Sequence, residues 1–218
     1  MARKFKKSKV SICVFCEGES EQAYIDFLKS EFHDVAVFKR PSSPGLFDDA
    51  DNRFKKDPGY RNYVDAIDEI WFFFDVEEKD IGNWTNRLEI IKRLRKLRKD
   101  PKIRVRLLMT TGCIEYWLML HYRHLAPSLL TVPDKERMLA QVVNMEPTYR
   151  KGNYEATARI AQNYPTAVKN ATIVLQNLLQ EGMPGLEDTD ERNRWLCTKC
   201  KTFSTVQEAI VFLEGLQS

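Results

Sequence analysis

The chain has 218 residues, of which 43% are hydrophobic and 30% charged, a composition typical of a globular protein and unlike that of a disordered or fibrous one. Its 34 basic and 31 acidic residues leave a net charge of only +3, so any affinity for nucleic acid has to come from local patches. No apolar stretch approaches the roughly 20 residues of a membrane helix, and the N-terminal pattern is not that of a secretory signal. We therefore expect a cytoplasmic protein with reduced cysteines and no membrane partner.

The first half of the chain alternates short apolar runs with helical patterns. Runs of β-branched and aromatic residues predict buried strands over 10–16, 35–39, 70–75 and 105–109. Helical spacing of apolar residues predicts helices over 24–32, 84–99 and 111–122. The prolines between residues 40 and 60 predict a long loop there.

Beyond residue 134 the chain shows only helical patterns, over 134–145, 153–163, 166–181 and 204–216, with a polar stretch at 187–194 before the last. Strands that alternate with helices predict a mostly parallel sheet, because parallel neighbours need a crossover connection. We therefore expect an α/β fold in which residues 1–125 form a Toprim-like, mostly parallel sheet flanked by helices. Residues 126–218 are expected to form a helical extension that packs on this core as one compact unit.

Acidic residues directly follow two of the predicted strands. Glu17 comes after the first strand, and Glu21 lies in the first turn of the helix behind it. Asp75 and Glu77 follow the third strand and, being two apart, point the same way in an extended segment. The carboxyl ends of parallel strands form the edge at which α/β proteins bind ligands. Carboxylates there suit a hard cation such as Mg²⁺, which stabilises the attacking and leaving oxygens of phosphoryl transfer.

A purely structural interpretation exists for each acidic residue taken alone. Carboxylates in the first turn of a helix interact favourably with the helix dipole, which would account for Glu19 and Glu21. Acidic turns after strands are also common at protein surfaces. The joint arrangement at the ends of two strands that share one edge favours a metal site.

Several motifs resemble those of known families. Residues 16–21 (Cys-Glu-Gly-Glu-Ser-Glu) and 74–77 (Phe-Asp-Val-Glu) are similar to the glutamate and the Asp-x-Asp pair of Toprim domains. An ordered set of further motifs is similar to the RloB family, a prokaryotic Toprim-related group linked to phage defence and abortive infection. These motifs are CIEYWLMLH at 113–121, YRKG at 149–152, AVKNA at 167–171 and FSTV at 203–206.

The resemblance implies a Toprim-like core that binds Mg²⁺ or Mn²⁺ and works beside a co-encoded ATPase in a defence operon. By the Toprim pattern, Glu17 is a general acid/base or a metal ligand, and Asp75 is a metal ligand. Glu77 stands where the pattern has aspartate, and its extra methylene group moves the carboxylate. Glu78 or Asp80 is the alternative ligand.

Three residues of the later motifs are candidates for supporting roles through this resemblance. Glu115 and His121 are six residues apart, about 120° around a helix, so they do not share one face. Glu115 near a helix start also has a helix-dipole interpretation, and His121 on an apolar helix has one as a packing residue. Lys151, in a basic turn that contains a glycine, is either a phosphate contact or a solvated lysine.

Positive charge is concentrated between residues 92 and 106. Such clusters bind phosphates with a strong dependence on salt, and the candidate nucleic-acid contacts are Lys92, Arg95, Lys96 and Lys99. The alternative is the solvated face of a helix whose leucines face the core. No base-reading motif is present, so we expect little sequence specificity.

The sequence supports two main functional hypotheses. The first is a Mg²⁺-dependent nuclease of an anti-phage defence system that cleaves DNA or RNA, with Glu17 and Asp75 at the centre of the site and Glu77 and Glu21 in support. The second is a non-catalytic Toprim-like subunit that docks a co-encoded ATPase or is regulated by it. A phosphotransferase or nucleotide-hydrolysing enzyme is a weaker third hypothesis, and the absence of a Gly-x-x-x-x-Gly-Lys-Ser/Thr motif argues against a P-loop ATPase.

Overall fold

The aromatic run at residues 70–74 forms the centre of a β-strand. The computed structural model describes residues 9–199 and 201–217, except for the side chain of Asp80, and these residues contain four strands: β1 (Val10–Cys16), β2 (Ala36–Lys39), β3 (Glu69–Val76) and β4 (Arg104–Thr111). They form one parallel sheet in the order β2-β1-β3-β4. All four predicted strands are therefore confirmed, and β3 and β1 occupy the middle of the sheet.

The side chains of β3 alternate between two hydrophobic cores. Trp71 and Phe73 pack on one face of the sheet and Phe72 and Phe74 on the other, and all four are fully buried. A strand covered on both faces has a continuous apolar run, which is why its sequence identified it. Burial of each such aromatic side chain stabilises the fold by roughly 1.5–3 kcal/mol.

Ten helices surround the sheet within the described residues. Those of the first half are α1 (Glu19–Glu31), α2 (Phe47–Lys56), α3 (Pro58–Arg61), α4 (Trp84–Arg95) and α5 (Ile114–Leu120). Those of the second half are α6 (Val132–Met145), α7 (Tyr154–Ala161), α8 (Tyr164–Gln180), α9 (Asp190–Thr198) and α10 (Gln207–Gln217). The predicted α/β fold with a mostly parallel sheet is confirmed. None of these helices has the length and apolar character needed to cross a membrane.

The loop predicted over 40–60 is wrong, because α2 and α3 occupy much of it. Phe47, Ala50 and Phe54 of α2 are buried, and their spacing of three and four residues places them on one helix face. Pro58 lies in the first turn of α3, where proline is tolerated. The prolines thus separate short helices instead of marking one loop.

Two other helix limits differ from the sequence prediction. The helix predicted over 84–99 ends at Arg95. The polar stretch at 187–194 contains the start of α9, where the Thr189 side chain accepts the Arg192 N–H at 3.2 Å. Arg192 is buried and pairs with Glu208 and Asp188. The polar stretch therefore contains a buried ion pair at the start of a helix, while most of its other residues are exposed or half-buried.

The C-terminal segment covers part of the outer edge of β4. Thr111 stays in the strand and donates its N–H to the carbonyl of Phe203 at 3.0 Å, while Thr110 pairs with Ser204 in an antiparallel bridge. Because the strand continues to Thr111, α5 begins at Ile114 and not at the predicted residue 111. The FSTV motif of the family resemblance therefore lies against the edge of the sheet.

The helical extension and the α/β half share one hydrophobic core. α7 packs on α1, and α6 and α8 pack on α5. Tyr24 and Trp117 of the first half belong to the same buried cluster as Ile160 and Ala171 of the second. The boundary at residue 125 stays a prediction, and the extension contacts the helix that follows β1.

Candidate functional site

Glu17 and Asp75 meet at the carboxyl edge of the sheet. β1 ends at Cys16, and the N–H of Glu17 donates to the carbonyl of Phe73 on the neighbouring strand at 3.0 Å. The N–H of Asp75 in turn donates to Oε2 of Glu17 at 2.9 Å. This backbone contact places the Glu17 carboxylate beside the end of β3. The structure thus brings together the two residues expected at the centre of the site.

Glu21 approaches the same place from the first turn of α1. The helix follows Gly18 directly, and the side chain of Glu21 is only 4% exposed. A Cβ atom at Gly18 would stand 2.9 Å from Oε2 of Glu21, which is closer than real Cβ contacts. Glycine at this position therefore lets the Glu21 carboxylate lie against the turn between β1 and α1.

Glu115 enters the site from the first turn of α5 and is 1% exposed. The hydroxyl of Tyr149 donates to its Oε1 at 3.1 Å. Nζ of Lys151 lies 3.8 Å from the same oxygen, and the lysine side chain is exposed. Two residues of the YRKG motif therefore contact the glutamate of the CIEYWLMLH motif.

Gly152 holds the YRKG segment against the start of α1. Its N–H donates to Oγ of Ser20 at 3.1 Å, and its φ angle of 76° lies in the left-handed region that glycine adopts most readily. A Cβ atom there would stand 3.0 Å from Glu19. This close approach places Lys151 at the mouth of the site.

These residues surround one cavity of about 290 Å³. It is lined by Glu17, Gly18, Glu19, Ser20, Glu21, Asp75, Ile114, Glu115 and Lys151. Five of the nine are carboxylates and a single lysine opposes them. The charge of the cavity is therefore strongly negative when its acidic residues are ionised.

Burial and mutual repulsion raise the pKa values of two of these carboxyl groups. Burial raises the pKa of Glu21 to about 7, with further increases from the charges of Glu17 and Glu115. The pKa of Asp75 is raised well above its usual range by burial and then by Glu21, Glu17 and Glu115. Oδ1 of Asp75 is buried and accepts no hydrogen bond. A partner of positive charge would relieve both the repulsion and the unsatisfied oxygen.

The donor set fits a divalent cation such as Mg²⁺ or Mn²⁺. Such ions take carboxylate oxygens together with water and substrate phosphate, and the unpartnered Oδ1 of Asp75 is an oxygen of this kind. In the present side-chain arrangement, no three His, Cys, Asp or Glu residues among those described converge closely enough to hold an ion. Binding therefore requires the glutamate side chains around Asp75 to turn towards it.

Glu77 departs from the expectation that it faces the same way as Asp75. β3 ends at Val76, so the alternation of the strand no longer directs Glu77. Its carboxylate is paired with Lys135 of α6 and with Lys79, and it lines a separate pocket with Glu78. Burial raises its pKa, but the hydrogen bonds from the two lysines outweigh this effect and leave the pKa below its usual range.

Of the two alternative ligands after β3, the structure describes the side chain of Glu78 only. Glu78 is exposed and lines the pocket of Glu77, not the acidic cavity. Asp80 belongs to the 3-10 turn Glu78–Asn83, but its side chain lies outside the described residues.

His121 is a buried packing residue that does not reach the cavity. Its Nδ1 lies 3.0 Å from the carbonyl of Trp117, and its Nε2 lies 3.1 Å from the hydroxyl of Tyr24. Burial lowers its pKa from 6.5 to about 4. Because a carbonyl only accepts, the neutral ring carries its proton on Nδ1, and Nε2 accepts from Tyr24.

The basic segment lies at the opposite end of the sheet. Arg98 donates to the carbonyl of Asp65, just before β3 begins, whereas Asp75 stands at the end of that strand. The six residue steps from Glu69 to Asp75 along β3 span roughly 20 Å. The candidate nucleic-acid contacts of this segment therefore do not border the acidic cavity.

Several charges of the basic segment are paired within the chain. Arg95 forms two hydrogen bonds of 2.9 Å with Asp190, and Lys92 pairs with Glu89 at 2.9 Å. Lys96 and Lys99 are exposed. Much of the positive charge is thus used in surface ion pairs, which supports the interpretation of this helix as a solvated face.

The described residues form a parallel α/β fold with an acidic cavity at the carboxyl edge of its sheet, the edge at which open α/β sheets bind their ligands. Residues 12–210 match the family described as RloB-like protein, and the chain belongs to that family. This membership confirms the resemblance to the RloB family and indicates a defence-associated protein. No curated protein matches the chain.

Sequence reasoning did not assign a role to Tyr149 or to Ser20. Both lie in motifs that carried the family resemblance, and the order of the motifs was the only signal that pointed to them. Tyr149 contacts Glu115 across a sequence separation of 34 residues, and Ser20 contacts Gly152 across one of 132 residues.

Proposed function

We propose that this protein is a metal-dependent nuclease of an anti-phage defence system, with a Toprim-like site that uses Mg²⁺ or Mn²⁺. The observation that carries the proposal is the convergence of Glu17, Glu21, Asp75 and Glu115 on one cavity that contains an unpartnered oxygen of Asp75. A carboxylate that only interacts with a helix dipole can remain exposed to solvent. Glu21 and Glu115 are instead both buried, and the charge of Glu115 raises the pKa of Glu21.

Each residue has a distinct part in the proposed site. Asp75 and Glu17 hold the ion, because both come from strand ends and their relative position is fixed by the Asp75 N–H bond to Glu17. Glu115 is oriented by Tyr149. Lys151 is exposed at the mouth, where its ammonium group can bind a phosphate oxygen. The bound ion would activate water and stabilise charge on the phosphodiester.

The negative charge of the cavity is the reason why we expect the proposed nuclease activity to depend on a metal ion. The carboxyl groups of the cavity that are ionised repel a phosphate backbone, so a phosphodiester approaches only after a cation has reduced the negative charge. Glu77 is not part of this set, since Lys135 and Lys79 hold it in a separate pocket. The proposal therefore replaces Glu77 by Glu115 as the supporting carboxylate.

Manganese binding by calorimetry tests the metal site without knowledge of the substrate. Wild type should bind saturably, and Asp75→Asn and Glu17→Gln should lose binding while keeping their circular dichroism and melting behaviour. Glu78→Gln is the matched control, because Glu78 is exposed outside the cavity. A folded wild-type protein that binds no manganese, or an Asp75→Asn variant that binds as well as wild type, would overturn the proposal.

Cleavage assays follow on single-stranded DNA, double-stranded DNA and RNA with manganese present. We expect one of these substrates to be cut by wild type and by Glu78→Gln, and by neither Asp75→Asn nor Glu17→Gln. Cleavage that persists in Asp75→Asn would assign the activity to a contaminant or to another site.

A second candidate function is the non-catalytic subunit that docks a co-encoded ATPase. The observation that favours it is the arrangement of the carboxylates, since no three metal-ligating side chains among the described residues converge on one point. This candidate predicts no manganese binding together with a stable complex when the chain is co-expressed with the neighbouring ATPase. Size-exclusion chromatography of the pair distinguishes it from the nuclease, which requires manganese binding by the chain alone.

A further inference from the structure

A second cavity, of about 380 Å³, lies beside the start of β4 between α8 and α10. It shares no lining residue with the acidic cavity. Arg104 and Arg106 line it from β4, whereas the acidic cavity lies at the carboxyl ends of the strands. The two cavities are therefore separate sites, and small molecules bind in cavities of this size class.

The floor of this cavity is a set of buried charges that neutralise one another. Arg106 forms two hydrogen bonds of 2.9 Å with Glu69, and both side chains are buried. Its guanidinium group also lies 4.7 Å from the ring centre of Phe212. Glu208 is paired with buried Arg192 at 2.5 Å. These paired charges give the floor little net charge and hold its side chains in place, so the floor itself does not attract a charged group.

Gln207 adds an unsatisfied polar group to the lining. The residue is 3% exposed, and its Oε1 is buried and accepts no hydrogen bond from any described residue. Oε1 has almost no accessible surface, so a ligand can reach it only when the Gln207 side chain turns into the cavity. A buried acceptor without a partner is destabilising, and a hydrogen bond from a ligand N–H to this oxygen would remove that cost. A glutamine amide reads the edge of adenine, where N6 donates and N7 accepts.

The mouth of the cavity combines exposed apolar side chains with one arginine. Val211 is 53% exposed and Leu186 is 43% exposed. Buried Leu175 continues this apolar wall inwards. Arg104 is half exposed and lies 3.5 Å from Asp188, a long contact that leaves its guanidinium group accessible to a phosphate.

We propose that this cavity binds an adenine nucleotide. The ring packs against the apolar side chains that line the cavity, Phe212 and Leu175 among them. Its amino edge donates to Oε1 of Gln207 once that side chain has turned into the cavity, and the phosphate contacts Arg104. The amide, the apolar walls and the arginine occur in one cavity, and each matches a different part of this ligand. The proposal is independent of the metal site, because none of its residues lines the acidic cavity.

Calorimetry with AMP on the full chain, in EDTA, tests the proposal. EDTA removes the cations through which a nucleotide could bind at the acidic cavity. Wild type should bind AMP, and Val211→Trp should weaken binding at least tenfold by filling the mouth from an exposed position. Leu179→Trp is the matched control, because Leu179 is also an exposed aliphatic residue but does not line the cavity.

Two further comparisons test the contacts individually. GMP should bind at least tenfold more weakly than AMP to wild type, and Gln207→Leu should remove this preference. Adenosine should bind more weakly than AMP, and Arg104→Ala should remove that difference. AMP binding that is absent at millimolar concentration, or that Val211→Trp leaves unchanged while Asp75→Asn abolishes it, would overturn the proposal.

Discussion

Tyr149 donates a hydrogen bond of 3.1 Å to Glu115, and both side chains are buried at the acidic cavity. Glu115 belongs to α5, whereas Tyr149 lies beyond α6 in the helical extension. The orientation of one carboxylate of the candidate metal site therefore depends on a residue outside the α/β half. Gly152, three residues further on, fixes the same segment to Ser20.

Tyr149→Phe should weaken manganese binding about 10- to 100-fold, the usual effect of removing a group that orients a metal ligand. It should also lower the free energy of unfolding by about 1–3 kcal/mol, because a buried carboxylate loses a hydrogen bond. Tyr116→Phe is the control, since Tyr116 is buried too but donates to the carbonyl of Leu125. Calorimetry and chemical denaturation measure both effects. Equal manganese affinity in the two variants would show that the Tyr149 bond has no part in metal binding.

Glu21→Gln should stabilise the metal-free protein at high pH. The pKa of Glu21 is about 7 in the folded protein and ordinarily 4.5, so the folded state holds this proton more tightly than the unfolded state. The resulting contribution to the free energy of unfolding is full below pH 4.5 and is lost as the pH rises through 7. Glutamine removes the cost of burying a charge at this position and, with it, the repulsion by Glu17 and Glu115. The stability gained over wild type should therefore grow from pH 5 to pH 8, on the order of 1–3 kcal/mol. Denaturation in EDTA measures the gain. A variant that is destabilised equally at both pH values would contradict the repulsion.

Glu77→Gln should change manganese affinity by less than about twofold, because Glu77 is paired with Lys135 and Lys79 outside the acidic cavity. Asp75→Asn is the comparison, and it should abolish binding. Lys135→Gln should likewise leave the affinity unchanged. Calorimetry measures all three variants. A large loss of manganese affinity in Glu77→Gln would show that Glu77 is a metal ligand, as its place in the Toprim-like motif implies.

His121 should remain neutral, with its proton on Nδ1, down to about pH 5. Burial lowers its pKa to about 4, and its two ring nitrogens are occupied by Trp117 and Tyr24. In the unfolded chain the same imidazole takes up a proton near pH 6.5. The contribution of His121 to the free energy of unfolding is therefore full above pH 6.5 and is lost as the pH falls towards 4. Nitrogen-detected NMR of the imidazole distinguishes the tautomers. A protonated ring at pH 6 would show that this environment is more polar than the structure indicates.

The edge that carries Glu17 and Asp75 could be predicted, because parallel strands place their carboxyl ends at one edge of the sheet. The two residues come together there because β1 and β3 are neighbouring strands, an order that the structure supplies. The same reasoning failed at Glu77, because β3 ends at Val76 and two-residue alternation applies only inside a strand. It also failed at 40–60, where the apolar spacing of α2 was a better guide than the prolines.

The sequence alone determined the strands, the edge of the sheet that carries the acidic residues, and the family. These follow from local periodicity, from the handedness and connection rules of parallel sheets, and from the order of motifs. Only the tertiary structure decided that Glu115 joins Glu17 and Asp75, that Lys135 holds Glu77, and that Asp190 pairs with Arg95. Each of these contacts joins residues 40 or more positions apart, and it depends on how helices pack against one another, which local patterns do not specify.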